Sequence, residues 1–433
     1  MKTTPQKQPR TNASVLIISL IISGILCLSL LSYLSLVNQQ NVSVARSQAW
    51  NVALAAAEAG IEEGMAQINV NFGTNNMGSA NANGWSGPSG GIYGPKTTTI
   101  TPASYTATID TTGPFPAITA VGKTTVPASS QPVFRTVRVT TTSTSAFTGA
   151  MVALQNIGFN GNNIAIDSYD SADPAHSTPQ GTYNLATRKA GGDVTSTDGI
   201  VNVGNANVNG KLRTGPTGSY SVGPNGFVGP VGWTGPGVYP GWYVNDFNMN
   251  LPDVSAPYSS GLAPGAKKGT NTYTLGTASY YYGGNFNLKN NETLYVGGNA
   301  TFYVTGNFTM QSQNGSYITI APGATLKLYV GGVSSTFTQV NNAGNAYNFQ
   351  YFGLPSNTSM SWSGNAQFMG TVYAPEAQFT LSGGGNPSNN SDYQGACVVQ
   401  SVVMNGHFNF HYDENLKRVG PISGFTVASW REL

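Results

Sequence analysis

The densest group of carboxylates in the chain is Asp167, Asp170 and Asp173, three residues apart beside a turn. Three oxygens there would be a start on the roughly six to eight that Ca²⁺ takes, so these residues are weak candidates for a cation site. Their spacing matches no standard calcium loop, and capping of Asx-type turns accounts for the same residue types. His407 and His411, followed by Asp413 and Glu414, would share one side of a strand. Positions i and i+4 of a strand stand roughly 13 Å apart, too far for two rings each to sit about 2 Å from one ion. Cys397 lies in an apolar strand pattern and His176 in a loop bounded by prolines, so neither forms a nucleophile and base pair. No Gly-rich segment opens a helix in the manner of a phosphate loop. The residues point to no cofactor and no bound metal.

Aromatic residues offer a milder chemistry. Trp233, Trp242 and Tyr281 stand among Tyr239, Tyr243 and the run Tyr280-Tyr281-Tyr282. Flat rings of this kind make contact surface for a glycan or a protein partner at low entropic cost. Three successive tyrosines cannot all point inward from a strand, so Tyr281 or its two neighbours must face out.

Composition narrows the classes further. The 433 residues hold 19 Lys and Arg and 17 Asp and Glu, so charged side chains make up 8% and the net charge is +2. A concentrated basic surface is missing, which argues against a nucleic-acid partner. With 39% hydrophobic residues the chain has enough apolar mass for a core and is not built for disorder. Two cysteines, Cys27 and Cys397, make no disulfide framework.

Val15 to Val37 is 23 residues without a formal charge. At about 1.5 Å per residue it spans a hydrocarbon layer of roughly 30 Å, as a transmembrane helix. A cleavable secretory signal is the alternative, although its apolar core is ordinarily shorter. Lys2, Lys7 and Arg10 precede the run and no charge follows before Arg46, which places the N-terminus in the cytoplasm and the bulk of the chain outside. The helical pattern then continues. Trp50, Leu54, Ala57, Ile61, Met65 and Ile68 form one apolar stripe, and Ala56, Gly60 and Gly64 form a ridge of small residues that lets helices approach closely. Leu54, Ala56, Glu58, Gly60, Ile61 and Gly64 are therefore the expected packing residues against copies of this helix or its relatives; packing on the chain's own domain is the competing reading.

The basic leader with Arg10, the run Val15 to Val37 and the segment Asn51-Val52-Ala53-Leu54-Ala55-Ala56-Ala57-Glu58-Ala59-Gly60-Ile61-Glu62 resemble the N-terminal region of the type IV pilus-associated PilX-like family. The resemblance covers roughly the first seventy residues. It implies a pilin-like arrangement, a long helix laid on a small antiparallel sheet, with other pilin-like subunits and the membrane as partners. The segment from Ile166 to the C-terminus, with Gly370-Thr371-Val372-Tyr373-Ala374-Pro375 and Ser429-Trp430-Arg431-Glu432-Leu433, resembles the β-helical domain of large bacterial surface proteins.

The β-branched runs Thr97–Thr101, Tyr105–Ile109, Ala117–Val121 and Val133–Thr140 predict the small antiparallel layer. Between Asn285 and Gly332, short runs begin at Phe286, Leu294, Phe302, Phe308, Ile318 and Leu326, with Gly or Asn corners. That cadence predicts a right-handed parallel β-solenoid, a β-helix of about three strands per rung, with a sandwich or barrel as the alternative. Two interruptions are expected, an irregular aromatic loop at Thr214–Pro240 and a tip at Gly383–Asn390.

The fold class is thus mainly β with one long N-terminal α-helix. The organisation reads as a cytoplasmic basic leader over 1–14, the long helix over 15–72, a Gly-rich linker and β layer over 73–150, and a solenoid over 151–433. The function that follows is a membrane-anchored, pilin-like structural or adhesive surface protein, a minor component or assembly factor of a type IV pilus-like system. It would sit in the inner membrane or on the cell surface. The alternative is a membrane-tethered β-helical carbohydrate-active enzyme using Asp167, Asp170, Asp193 or Asp198 as a carboxylate pair. No Lys or Arg cluster accompanies those residues to hold a developing anion, so a non-catalytic role is preferred.

Overall fold

The computed structural model describes residues 12–70, 83–127, 131–161, 163–249, 251–265, 272–311, 315–363, 367–383, 393–419 and 422–433. The leader basics Lys2, Lys7 and Arg10, residues 73–82 of the Gly-rich linker, and the expected tip from residue 384 onward lie outside them. The chain divides into two compact units, one of residues 1–72, 76–142 and 425–433 and one of 73–75 and 143–424.

The first unit begins with helix α1, Asn12–Val70, 59 residues long. It is long and apolar enough to cross a membrane, and its apolar window is 0% buried. Four strands follow, β1 (Ile92–Ile100), β2 (Ala103–Asp110), β3 (Ala117–Thr125) and β4 (Pro132–Ser145), each antiparallel to the next. Buried and half-buried residues alternate along β2, so Tyr105, Ala107 and Ile109 face one side. They join Ile118, Ala120, Val137 and Val139 in a core with Ala56, Ala57, Ile61 and Ile68 of α1. The four expected strands are all present, each longer than its β-branched run.

A fifth strand completes this sheet, and it comes from the far end of the chain. The C-terminal strand, Ile422–Glu432, lies beside β4. The Leu433 amide donates to the Thr136 carbonyl at 3.0 Å, and the Thr140 and Ser429 hydroxyls meet at 2.6 Å. This corrects the organisation read from sequence, which ran the second domain to Leu433. Nothing in the strand's own composition marks it as the partner of residues about 290 positions earlier. The second unit is therefore an insertion between neighbouring strands of the first.

The second unit is a large domain of parallel strands. From Thr272 onward each strand pairs parallel with the third strand after it, which generates three ladders. One joins Thr272–Leu275, Thr293–Val296, Tyr317–Ile320 and Gln339–Asn342. A second joins Ser279–Tyr282, Asn299–Val304, Thr325–Val330 and Phe349–Gly353. The third joins Phe286–Leu288, Phe308–Met310, Ser334–Phe337 and Ser359–Ser363. Two long strands, Phe368–Gly383 and Tyr393–Gly406, run through all three ladders and pair with each other. Leu294, Phe302, Ile318, Leu328 and Tyr351 point inward and are wholly buried.

The two ends of this unit meet on one strand, Tyr393–Gly406. After Tyr393–Gly406, the next strand on the first ladder is Asn409–Asp413. On the other two ladders it is Met151–Ala153 and Ile157–Phe159, the first strands of the unit. Ala165–Tyr169 then stacks on Asn409–Asp413. The early strands continue outward through Val194–Ser196, Ile200–Asn202 and Asn207–Val208 to the Gly- and Pro-rich segment. The strand order thus joins the array in its middle, runs to one end and resumes at the other. It then returns to the middle, where Phe368, Tyr393 and Phe410 stack at 4.8 and 4.1 Å.

Candidate functional site

Two places carry the residues that the sequence singles out, the outer half of α1 and the junction where the ends of the second unit meet.

On α1, the ridge of small residues is taken up by the protein's own sheet. A Cβ added at Gly60 would lie 2.9 Å from both Ala120 Cβ and Tyr105 Cδ2, and one at Gly64 would lie 2.7 Å from Ile118 Cγ2. From the sheet side, a Cβ at Gly122 would collide with the Ala53 carbonyl and the Ala57 amide, so helix and strand backbones touch there. Ala56, Gly60, Ile61 and Gly64 therefore pack on this sheet, and Leu54 lies half-buried at its margin. The expectation that this ridge meets other helices is corrected: close approach is what small residues provide, and the sheet uses it. Glu63 is also engaged, with Lys96 Nζ at 2.5 Å and the Tyr105 hydroxyl donating to it at 2.9 Å. Glu58 differs. It belongs to an exposed stripe, Asn51, Ala55, Glu58, Glu62 and Ala66, on the side away from the sheet.

At the junction, Asn409–Asp413 and Ala165–Tyr169 pair so that His411 stands opposite Asp167. His411 Nδ1 lies 2.5 Å from Asp167 Oδ1, and the Tyr183 hydroxyl donates to Asp167 Oδ2 at 2.7 Å. The Tyr183 ring stacks on the imidazole at 3.4 Å, and its backbone amide donates to Gln394 Oε1. Burial, reinforced by the Asp167 carboxylate, pushes the Tyr183 hydroxyl pKa far up, so it remains a donor. His411 is 3% exposed, and among the described residues its Nε2 has no hydrogen-bond partner.

Around this core Asp170 and Glu414 each pair with a cation. Arg418 reaches Asp170 at 2.6 Å and Lys189 reaches Glu414 at 2.5 Å, while the Ser168 hydroxyl donates to Glu414 Oε1 at 2.8 Å. Burial pulls the Asp170 carboxyl upward, but Arg418 and the Ala172 amide outweigh it and its pKa is lowered. Asp413 shows the opposite balance. Burial holds its carboxyl above the usual range despite the Ser171 and Asn415 amides that donate to it.

The three candidate cation ligands go to separate tasks. Asp167 holds His411, while Asp170 and Asp173 accept the amides of Ala172 and Ala175 in Asx turns. Among the described residues no group of three His, Cys, Asp or Glu is drawn together as a metal would need. His407 is exposed and stands apart from the buried His411. Tyr183, Lys189, Gln394 and Arg418 went unnoticed in the sequence, where nothing marks them as partners of residues up to 248 positions away. Cys397 is buried, which pushes its thiol pKa up and leaves it inert.

The aromatic candidates divide. Trp233 is half-buried, held edge-on between Phe227 and Tyr239 with Gly229 and Gly235 against its ring, and Trp242 packs on Tyr239. Of this group, Tyr239 is the ring open to solvent. Tyr281 is half-buried against Tyr303, while its neighbours take the opposite face of the strand, Tyr280 buried and Tyr282 exposed beside Phe286. In register, Tyr281, Tyr303, Tyr329, Phe352 and Tyr373 form an outward aromatic column. Residues 251–265 cross it, the Tyr258 hydroxyl donating to the Tyr280 and Thr301 carbonyls and the Tyr373 hydroxyl to the Pro252 carbonyl.

Residues 251–419 match a family model described as a domain of unknown function (DUF7305). The match begins at the segment crossing the aromatic column and ends just after the junction, so it takes in the returning part of the ladders without Met151–Val244. No curated protein matches the chain. Among solved structures, the competence-associated pilin ComZ from Thermus thermophilus aligns at 12% identity over 89% of this chain and 97% of that one. Its TM-score is 0.24, below what a shared fold requires.

Proposed function

We propose that this chain is a membrane-anchored, pilin-like structural and adhesive surface protein, a minor component or assembly factor of a type IV pilus-like system. The second unit, in this reading, is a right-handed parallel β-solenoid held outside the membrane. One observation carries the proposal: a single 59-residue helix whose first part is apolar and uncovered, and whose later part is packed by Ala, Gly and Ile onto a five-stranded antiparallel sheet. Burying Val15–Val37 in lipid removes from water the largest run of exposed apolar side chains among the described residues.

The role is non-catalytic. Asp167, Asp170, Asp413 and Glu414 are spent on partners that join the ends of the array, which leaves no free carboxylate pair there. Tyr239, Trp233 and Trp242 form the ligand-facing strip, suited to a glycan or another uncharged surface. The test is fractionation of cells expressing the full chain. The protein should sediment with membranes and appear in sheared surface material, with protease reaching the β domain from outside. Recovery as a free soluble species lacking α1 would overturn the reading.

A further inference from the structure

On the face of the five-stranded sheet away from α1, two arginines stand side by side. The contacts of Leu433 with Thr136 and of Ser429 with Thr140 set the register between β4 and the C-terminal strand, and that register puts Arg431 opposite Arg138. Opposed residues of this kind emerge on one face with Cα atoms about 5.5 Å apart, and like charges so placed repel. Both side chains are exposed, and neither makes an ion pair or a hydrogen bond among the described residues. The next pair along the strands, Thr140 and Ser429, adds two hydroxyls 2.6 Å apart.

Arg138 also borders an open cleft of about 330 Å³, shared with Asp110, Thr112, Phe115 and Thr140. Its far wall is the turn between β2 and β3. The Thr141 amide and hydroxyl both donate to the Pro116 carbonyl, at 3.2 and 2.6 Å, which fastens that wall to β4. Beside the anchored proline, Phe115 is 40% exposed, an apolar ring left open to solvent. Asp110 Oδ1 accepts the Thr112 hydroxyl and amide at 2.6 and 2.9 Å, and these bonds hold its carboxyl below the usual range. Its Oδ2 accepts nothing from the described residues. Asp110 pairs with Ala117 and Ala117 with Thr140, so this carboxylate stands two strands from the arginine, about 10 Å across the sheet.

We propose that this cleft binds an acidic sugar, a uronate unit of a polysaccharide. Arg138 and Arg431 take the carboxylate as paired forks, Asp110 Oδ2 accepts a ring hydroxyl, and Phe115 packs on the apolar face of the ring. A carboxylate between the arginines relieves the repulsion that they suffer alone, which a neutral sugar would not do. Phosphate would also relieve it, but it would leave Phe115 and Asp110 without a role, and Asp110 repels a phosphate backbone laid across the cleft. The site belongs to the first unit, whereas the strip of Tyr239, Trp233 and Trp242 belongs to the second, so it adds a charged ligand to the uncharged one assigned there.

The test is an NMR titration of the purified full-length chain in detergent with D-glucuronate, D-glucose and inorganic phosphate. Glucuronate and glucose differ only in the carboxylate. Glucuronate should bind with a Kd of about 1 mM, and glucose about tenfold more weakly. Arg138→Gln and Phe115→Ala should each lower glucuronate affinity about tenfold while leaving the melting temperature unchanged. Arg431→Gln should lower affinity and raise the melting temperature of the unliganded chain, since one of two opposed charges is gone. A raised melting temperature with unchanged affinity removes Arg431 from the site. If Phe115→Ala melts lower, Phe115→Leu keeps the apolar bulk without the aromatic ring and decides whether the ring is read. Equal binding of glucuronate and glucose rejects the arginine pair as a carboxylate receptor. Phosphate binding as tight as that of glucuronate, and undiminished by Phe115→Ala, makes this a bare anion site open to a nucleic-acid backbone. No glucuronate binding, or binding that no variant weakens, overturns the proposal. None of these results depends on where the cell puts the chain, so they stand or fall separately from the membrane and surface tests of the pilin-like reading.

Discussion

His411 and Asp167, 244 residues apart in sequence, are direct partners across a parallel strand pair, with imidazole Nδ1 2.5 Å from carboxylate Oδ1. That bond sits where the strands that end the inserted unit meet the strands that begin it. Removing the carboxylate leaves a buried imidazole and the buried Tyr183 hydroxyl without their acceptor. Asp167→Ala should therefore destabilise the second unit by about 3–5 kcal/mol, well above the loss from a surface carboxylate. Urea unfolding should show a lower midpoint with an unchanged slope. A midpoint within experimental error of the wild type would mean that the junction is held by its apolar stack alone.

The two carboxylates flanking this bond predict opposite responses to acid. Asp170 has a lowered pKa in the folded protein, so it contributes stability above the ordinary carboxyl pKa of 3.8, and that contribution is lost as pH falls through the lower folded value. Asp413 has a raised pKa, so its ionised form is penalised: the cost is absent below 3.8 and grows as pH rises through the folded value. Asp413→Asn keeps an acceptor for the Ser171 and Asn415 amides without the buried charge. It should match or exceed wild-type stability at pH 7 and lose that advantage near pH 3, as thermal melts across this range will report. Greater destabilisation at pH 7 than at pH 3 contradicts the assignment.

Much of the architecture was legible in the sequence because period and composition report local geometry. The β-branched runs located β1–β4, and Phe286, Leu294, Phe302, Phe308, Ile318 and Leu326 each fall within the strands that form the ladders. What was hidden is non-local. The ridge of Ala56, Gly60 and Gly64 announces close approach without naming the surface approached, since sheet and helix neighbours require the same small side chains. Ile422–Glu432 reads like any other strand, and its pairing with β4 follows from where an inserted domain returns the chain. Asp167 and His411 were each noticed, but as members of local clusters, because spacing along the chain says nothing of register between distant strands.

The contact between helix and sheet predicts a stability effect where an exposed helix would show an assembly effect. Gly122→Ala forces a methyl into the Ala53 carbonyl and Ala57 amide, and Gly60→Leu drives a side chain into Ala120 and Tyr105. Either should cost about 1–3 kcal/mol or more through overpacking. The loss should appear as protease cleavage within residues 83–127 in otherwise intact membranes, with melting of the inserted unit unchanged. Normal protease resistance in Gly60→Leu, combined with failure to reach surface material, would return the ridge to a role between subunits.

The adjacency of β4 and the C-terminal strand makes the inserted unit removable. The pairing of Thr136 with Leu433 and of Thr140 with Ser429 runs antiparallel, and continuing that register places Ser145 opposite Gly424. Deleting residues 146–423 and joining these ends by Asn-Gly, a sequence suited to a two-residue hairpin turn, should leave the five-stranded sheet and α1 intact. Asn69 provides the readout, because its side chain exchanges two hydrogen bonds with the Phe425 backbone, at 2.7 and 3.2 Å, tying the returning strand to the helix. In the shortened protein the Phe425 amide should remain protected from hydrogen exchange, and Asn69→Ala should abolish that protection. The reciprocal piece, residues 146–419, carries its own apolar cluster from Ala146 to Leu416 and should fold as a soluble domain with a cooperative melt. If the short form unfolds while the insert folds, the large unit is the scaffold of the small one, and the chain is a β domain with a helical anchor rather than a pilin-like unit with a payload.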